Sequence, residues 1–205
     1  MAVDGPMGVG KLALATRLAA QFGGELIHDH ANDNPFLQRF YNQPDHYALQ
    51  TQLHFLFQRI KRLKELKQEN LLHSIRITDF TLAKESIFAN LTLQPDELEL
   101  YNHLFHQLVF EIPSPDLVIY LQASVDVLMK RIQSRGILYE RKLKREMLAR
   151  LTDSYAQYYL NYHNSALIVI NAENLIDSGY GSHFNVLVER VENISSGRQY
   201  FNPVD

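Results

Sequence analysis

The chain of 205 residues contains no cysteine, which excludes a disulfide framework and any metal site built from thiolates. It also has no apolar run near the roughly 20 residues that a membrane-spanning helix needs, so we expect no membrane partner. The first predicted strand, residues 2–4, starts so close to Met1 that we expect no signal peptide. These absences together predict a cytoplasmic protein.

Neither sign of charge dominates the chain. It has 20 Lys and Arg residues against 23 Asp and Glu residues, and a formal net charge of −3. Such a small charge gives no general attraction to nucleic acid or to anionic membranes, so we expect neither as a partner. With 46% hydrophobic residues and no internal repeat or linker, the chain is expected to fold as one domain.

The most informative segment is residues 5–11, which read Gly-Pro-Met-Gly-Val-Gly-Lys. Glycines let backbone N–H groups surround a phosphate, the next helix adds its positive end, and Lys reaches the terminal phosphates. An ordinary strand-to-helix turn is the alternative, but an apolar strand before the loop and a helical period after it favour a phosphate site. The expected phosphate-binding residues are Gly5, Pro6, Met7, Gly8, Val9, Gly10, Lys11 and Leu12.

Short apolar runs alternate with longer helical patterns along the chain. We predict strands at residues 2–4, 25–28, 75–78, 117–121 and 167–170, and long helices at 46–67, 94–109, 124–134 and 143–162. This alternation predicts an α/β fold of the three-layer P-loop type, with a parallel five-stranded sheet and helices on both faces. Residues 196–205 are expected to form an irregular tail.

Acidic residues follow two of the predicted strands. Asp29, after the second strand, could accept a proton from an attacking hydroxyl, unless the loop only builds turns. Asp79, after the third, could hold Mg²⁺ directly or through water. The sequence His-Asp-His at residues 28–30 resembles a metal cluster, but adjacent side chains of an extended segment point to opposite faces, so solvated histidines are favoured.

Two further groups are compatible with binding or with an ordinary surface. Gln52 and Arg59 share one face of the helix at 46–67 and could read a base edge and steady an anion, or simply belong to its polar stripe. Eight of the 20 basic residues fall within residues 130–150. There they could form a flap over a triphosphate, a solvated face, or a nucleic-acid stripe, which the absence of interleaved aromatics disfavours.

These segments, in this order, resemble the deoxynucleoside kinase family, and most closely its bacterial deoxyguanosine/deoxyadenosine kinase branch. Besides the glycine-rich loop, the likeness runs through residues 34–41, 52–59, 87–93, 115–121 and 131–140. The resemblance implies that residues 1–195 form the kinase domain, with a lid at about 131–145. It also implies transfer of the γ-phosphoryl of ATP, with Mg²⁺, to the 5′-hydroxyl of a small-molecule deoxynucleoside, and a homodimer joined by a helix pair.

The resemblance also assigns roles to individual residues. Lys11 would contact the triphosphate, Asp29 stands in the place of the general-base Glu, and Asp79 matches the acidic residue of the Asp/Glu-Arg-Ser motif. The matching substrate-side residues are Tyr41, Gln52, Arg59, Asp79 and Phe80. Arg131 and Arg135 match the catalytic arginines of the lid.

Departures from the family pattern lie at positions that the resemblance assigns to catalysis and to substrate or metal binding. Leu12 replaces the Ser or Thr that ligates Mg²⁺, Asp29 is one methylene shorter than Glu, and Phe80 stands where many members have Arg. Three hypotheses therefore stay open. The first is a deoxynucleoside kinase that favours purines, the second a catalytically weakened nucleotide-binding homologue or partner subunit, and the third another small-molecule kinase such as a nucleoside-monophosphate kinase.

Overall fold

The computed structural model describes residues 1–68, 75–110, 112–173, 175, 181 and 183–203. In these parts of the chain six strands form one sheet. They are β1 (Ala2–Asp4), β2 (Glu25–Ile27), β3 (Arg76–Thr78), β4 (Leu117–Gln122), β5 (Ala166–Asn171) and β6 (Arg198–Phe201). All pairs are parallel, in the order β2-β3-β1-β4-β5-β6. The predicted parallel α/β sheet is thus confirmed, with one strand more than the five expected.

The helices of the described residues lie between the strands. They are α1 (Lys11–Phe22), α2 (Leu37–Asn42), α3 (Pro44–Gln68), α4 (Ala83–Thr92), α5 (Pro95–Val109), α6 (Val125–Ser134), α7 (Arg145–Leu160) and α8 (His183–Asn193). The four long helices predicted from the sequence correspond to α3, α5, α6 and α7 within two residues at each end. Proline begins both α3 and α5, where the missing N–H leaves no helical hydrogen bond unmade.

Two apolar clusters hold the domain together. Residues 118–121 and 166–170 are buried without interruption, so the central strands β4 and β5 are covered on both faces. This sheet core includes side chains of α1, α7 and α8, whereas Leu56, Ile60, Ala89 and Tyr101 form a second cluster among α3, α4 and α5. The second cluster fixes α3 and α4 against each other, and both carry residues of the site described below.

No helix of the described chain is long and apolar enough to cross a membrane.

The expectation of an irregular tail is wrong for Arg198–Phe201, which form β6. Phe201 is buried, and the guanidinium of Arg198 donates to the carbonyls of Tyr159 and Leu160 at the end of α7. These contacts join the segment to the domain. The strand is short, partly exposed and flanked by Gly197 and Pro203, so its sequence does not show an apolar run.

The loop from β1 to α1 needs glycine for steric reasons. A Cβ atom on Gly5, whose φ is +144°, would lie 2.4 Å from the carbonyl oxygen of Leu121 in β4. A Cβ atom on Gly8, with φ of +80°, would lie 2.9 Å from the carbonyl oxygen of Leu128 in α6. The loop therefore presses against neighbouring backbone, which fixes its shape before any ligand binds.

Gly5→Ala should destabilise the fold by about 3 kcal/mol or more, because the new methyl group meets backbone that cannot move aside cheaply. Gly136→Ala is the matched control, since Gly136 also has positive φ (+71°) but nothing lies within 4 Å of its added Cβ atom. Its cost should be about 1 kcal/mol from the backbone conformation alone. Urea denaturation measures both, and equal losses of stability would contradict the steric argument.

Candidate active site

A cavity of about 1350 Å³ opens at the carboxyl ends of β1, β2 and β3. Twelve of the predicted site residues line it, namely Met7, Gly8, Gly10, Lys11, Leu12, Asp29, Tyr41, Gln52, Arg59, Asp79, Arg131 and Arg135. Gly5, Pro6 and Val9 are buried beneath the loop surface, and Phe80 lies elsewhere in the core. The parallel topology therefore brings to one place residues that are far apart in sequence, as expected at strand ends of an open α/β sheet.

Lys11 begins α1 and extends back over the phosphate loop. Its Nζ donates to the carbonyl oxygens of Gly5 and Pro6, at 2.8 and 2.9 Å. Burial, followed by the positive charge of Lys84, lowers the pKa of Lys11 from its usual range to about 7. Its surroundings thus disfavour the charged form of Lys11, and a phosphate bound beside it would favour that form again.

The residues around the loop fit a Mg²⁺ ion carried by a triphosphate, but not a protein cage for the ion. Leu12 is 41% exposed on the cavity wall and offers no oxygen, while the hydroxyl of Thr81 is bonded to Asp4. The described residues contain no group of three or more His, Asp or Glu that could hold a metal. Mg²⁺ commonly binds one or two carboxylates together with phosphates and water, and Asp79 is a carboxylate that lines the cavity.

Asp29 lies two residues beyond β2 and is clamped by two cations. Arg59 binds it in a bidentate manner, Nε to Oδ1 at 3.1 Å and Nη2 to Oδ2 at 2.6 Å, and Lys84 Nζ lies 2.8 Å from Oδ2. Burial opposes ionisation, but the charges of Lys84 and Arg59 outweigh it and hold the pKa of Asp29 well below its ordinary range. The carboxylate is therefore ionised at any physiological pH and is a weak base.

The guanidinium of Arg59 also pairs with a second carboxylate, that of Glu85. Glu85 is completely buried, and the hydroxyl of Tyr101 donates to its other oxygen at 2.6 Å. Burial opposes the charge of Arg59, yet Glu85 and Asp29 together raise its pKa above the ordinary value. Arg59 thus links α3, α4 and the segment after β2, and its ring contacts include Phe55 at 4.7 Å.

Asp79 fixes the strand end that carries Asp29. Its Oδ1 accepts the backbone N–H of Asp29 at 2.6 Å, and its Oδ2 accepts Nδ1 of His28 at 2.7 Å. His28 and His30 face the same side, with ring centroids 4.6 Å apart, and His30 is exposed. Both histidines line the cavity, His28 half-buried against Asp79 and His30 exposed, while Asp29 between them points to the opposite side.

The far end of the cavity offers polar groups in an otherwise apolar wall. Gln52 is buried there, with its Nε2 3.4 Å from the hydroxyl of Thr92. The neighbouring hydroxyl of Thr51 is buried and has no hydrogen-bond partner among the described residues. Buried polar groups of this kind favour a ligand that can complete their hydrogen bonds.

Across the cavity, the segment after α6 contacts the segment after β2. Arg135 pairs with Glu140 at 3.1 Å, and Tyr139 donates to Oδ1 of Asn32 at 2.8 Å. The Tyr139 ring lies 5.2 Å from that of Tyr41. Burial raises the pKa of Glu140, although Arg135 opposes this.

Arg131, which was expected to reach the triphosphate, donates from Nη2 to the carbonyls of Ala172 and Glu173 after β5. Its guanidinium thus ties α6 to the sheet while its side chain lines the cavity.

Phe80 is a correction to the expected site. It is only 1% exposed and does not line the cavity, but lies 5.8 Å from the guanidinium of Arg59. An apolar ring directly after a buried strand is drawn into the core, so Phe80 packs near Arg59 and is not among the residues that line the cavity.

Two residues of the site were missed by sequence reasoning, Lys84 and Glu85. They form an adjacent charged pair near the start of α4, whose other buried positions are apolar. The signal was present, because a charge on the buried face of a helix requires a partner. The partners, Asp29 after β2 and Arg59 in α3, are brought next to α4 only by the fold.

A parallel sheet, a glycine-rich loop opening the first helix, and a cavity at the strand ends define the class of P-loop nucleotide-binding proteins. Within this class, residues 1–195 match the family model for deoxynucleoside kinases. The chain therefore belongs to the deoxynucleoside kinase family, and it is an enzyme of the kinase class.

Individual relatives agree with this assignment. The chain is 36% identical over 156 residues to deoxyguanosine kinase of Bacillus subtilis, covering 76% of this chain and 75% of the relative. It is 28% identical to deoxyadenosine kinase of Lactobacillus acidophilus, over 84% and 85% of the two chains. Among solved structures, deoxyadenosine kinase from M. mycoides with bound dATP has a TM-score of 0.79 at 26% identity, covering 91% of this chain and 98% of that one.

The low pKa of Lys11 predicts a pH-dependent affinity for ATP. Phosphate binds the charged form, so binding must take up a proton above pH 7, and affinity should fall roughly 25-fold between pH 6.5 and 8.5 from this group alone. Lys11→Arg is the control, since its guanidinium stays charged. Calorimetric titration of both proteins separates this effect from titration of ATP itself, and parallel pH profiles would contradict it.

Proposed function

We propose that this chain transfers the γ-phosphoryl group of ATP to the 5′-hydroxyl of a deoxynucleoside, with purine deoxynucleosides favoured. The observation that supports it most is the placement of Lys11 and Asp29 in the wall of one cavity. They follow β1 and β2, the two strands that flank β3 in the sheet. Kinases of purine deoxynucleosides among its relatives support the choice of acceptor.

In this proposal the loop and Lys11 hold the triphosphate, and Gln52 hydrogen-bonds the base edge at the far end. The acceptor oxygen forms a bond to the γ-phosphorus while the bond from that phosphorus to the bridging oxygen of ADP breaks. Asp29 accepts the proton of the hydroxyl. Mg²⁺ bound to the triphosphate would neutralise charge on the phosphates, with Asp79 as its protein carboxylate.

The weak basicity of Asp29 is compatible with this reaction. The transition state of phosphoryl transfer is loose, so the hydroxyl proton needs to leave only late, when the oxygen has become strongly acidic. Asp29 then acts mainly by orienting the hydroxyl. The acceptor side also favours a neutral nucleoside over a nucleoside monophosphate, because its cations Arg59 and Lys84 are already paired with carboxylates.

We further propose that residues 131–145 form a lid and that the protein is a homodimer in the cytoplasm. The hydrogen bond from Tyr139 to Asn32 supports the lid, because it bridges the cavity between two loops. Phe57 on α3 and Leu100 on α5 support the dimer, since both large apolar side chains are half exposed on helices that contact each other.

A weakened, nucleotide-binding homologue is the second candidate function, and Leu12 is the observation that favours it. The side chain faces the cavity where the P-loop motif calls for a Mg²⁺-ligating hydroxyl. Loss of one such electrostatic group costs roughly 10²–10³ in rate. Both candidates share the fold and the nucleotide site and differ in turnover.

The direct test is a panel of the four deoxynucleosides with ATP and Mg²⁺, followed by chromatographic detection of the deoxynucleoside monophosphate. We expect turnover with deoxyguanosine or deoxyadenosine above that with the pyrimidines. Equal ATP consumption with and without nucleoside, and no monophosphate from any of the four, would reject the kinase proposal.

Leu12→Thr should raise kcat by about 10-fold or more, because it returns a metal-ligating hydroxyl to the loop. Leu12→Val is the control, being β-branched like Thr without the hydroxyl. If Thr and Val behave alike, and nucleotide binding proceeds without Mg²⁺, the binding-subunit hypothesis is favoured instead.

A further inference from the structure

Lys84 has no role so far in the proposed reaction, although it contacts Asp29. It lies in the first turn of α4, shortly after the end of β3, and its side chain is 14% exposed on the cavity wall. Its Nζ donates to Oδ2 of Asp29 at 2.8 Å. The ammonium group also lies 5.9 Å from the centre of the Phe88 ring.

A purely structural role explains this contact poorly. Arg59 already binds both oxygens of Asp29, so the carboxylate has a full bidentate partner without Lys84. Burying a further ammonium group costs free energy unless that group serves a purpose beyond neutralisation. Both residues line the cavity, but Lys84 is 14% exposed there, whereas Arg59 is 3% exposed and its guanidinium also binds Glu85.

Lys84 also lies close enough to the phosphate loop to affect Lys11. After burial, its charge is the largest influence that lowers the pKa of Lys11. The cavity therefore has two ammonium groups at one end. Lys11 is bonded to loop carbonyls, and Lys84 is bonded to the carboxylate that would receive the acceptor hydroxyl.

We propose that Lys84 is a positioning residue for phosphoryl transfer, which holds the carboxylate of Asp29 toward the acceptor hydroxyl. This inference rests on the proposed kinase function. Arg59 binds both oxygens of Asp29, and Lys84 binds Oδ2 and thereby limits rotation of the carboxylate about its side-chain bond. The role requires a cation on α4 that can reach Oδ2, and an arginine could replace it in part.

The test compares Lys84→Met, which keeps the length and apolar stem, with Lys84→Arg, which keeps the charge. Lys84→Met should lower kcat about 100-fold, the cost typical of a misplaced catalytic group, while KM for ATP and deoxynucleoside changes less than about threefold. Lys84→Arg should retain kcat within about tenfold. Lys61→Met is the control, because Lys61 is 78% exposed and pairs with Glu65 at 3.9 Å, away from the cavity lining.

A double-mutant cycle separates action through Asp29 from a direct effect on substrate. If Lys84 works through Asp29, Lys84→Met should change kcat less than about threefold in the Asp29→Asn background. A full loss in that background would overturn the positioning role. So would a Lys84→Met protein with wild-type kcat, or one whose loss lies wholly in KM.

Failure of this inference is distinguishable from failure of the proposed function. A wild-type chain with no turnover on any deoxynucleoside overturns both, whereas an active wild type with an equally active Lys84→Met variant overturns the role of Lys84 alone. Thermal unfolding monitors the integrity of each variant. If Lys84→Met does not fold, kcat of Lys84→Arg alone and in the Asp29→Asn background decides the question, and a loss above 100-fold with Arg would refute it.

Discussion

The guanidinium of Arg59 neutralises two buried carboxylates, Asp29 and Glu85, that come from different parts of the chain. Removing one member of such a group leaves an unpaired buried charge, which costs several kcal/mol. The group therefore fixes three segments relative to one another: α3, the first turn of α4, and the loop after β2. The wall of the cavity around Asp29 and Arg59 depends on this group, because these segments carry its lining residues.

The same interaction determines what Asp29 can do. A carboxylate with a bidentate arginine and a lysine stays ionised but has little affinity for a proton. This is a poor arrangement for abstracting a proton early and a suitable one for orienting a hydroxyl whose proton leaves late. The electrostatics of Asp29 are thus compatible with the proposed phosphoryl transfer.

Much of this architecture is encoded locally and could be predicted from the sequence. Apolar runs and helical periods located five strands and the long helices, because buried parallel strands and amphipathic helices have distinct periods. The glycines of the phosphate loop can be recognised in the sequence, because a side chain on Gly5 or Gly8 would clash with the backbone of β4 or α6. The family resemblance further placed Asp29, Gln52 and Arg59 in one site, and all three line the cavity.

What escaped prediction depends on contacts between distant segments. β6 pairs with the edge of β5, and its four residues, of which Phe201 is buried, carry no apolar run of their own. Phe80 was expected at the ligand but turns inward, because the interior beneath Arg59 accepts an aromatic ring. The roles of Lys84 and Glu85 can be identified only when α4 is placed beside Asp29 and Arg59. No local sequence period specifies that placement.

The central claim is that one cavity holds a triphosphate on the loop of residues 5–11 and an acceptor hydroxyl at Asp29. A crystal structure with a non-hydrolysable ATP analogue and deoxyguanosine tests it most directly. We predict that Lys11 leaves the carbonyls of Gly5 and Pro6 for the terminal phosphates, and that the 5′-oxygen lies within about 3 Å of an Asp29 oxygen. Phosphates bound away from the loop, or a 5′-oxygen directed away from Asp29, would contradict the account.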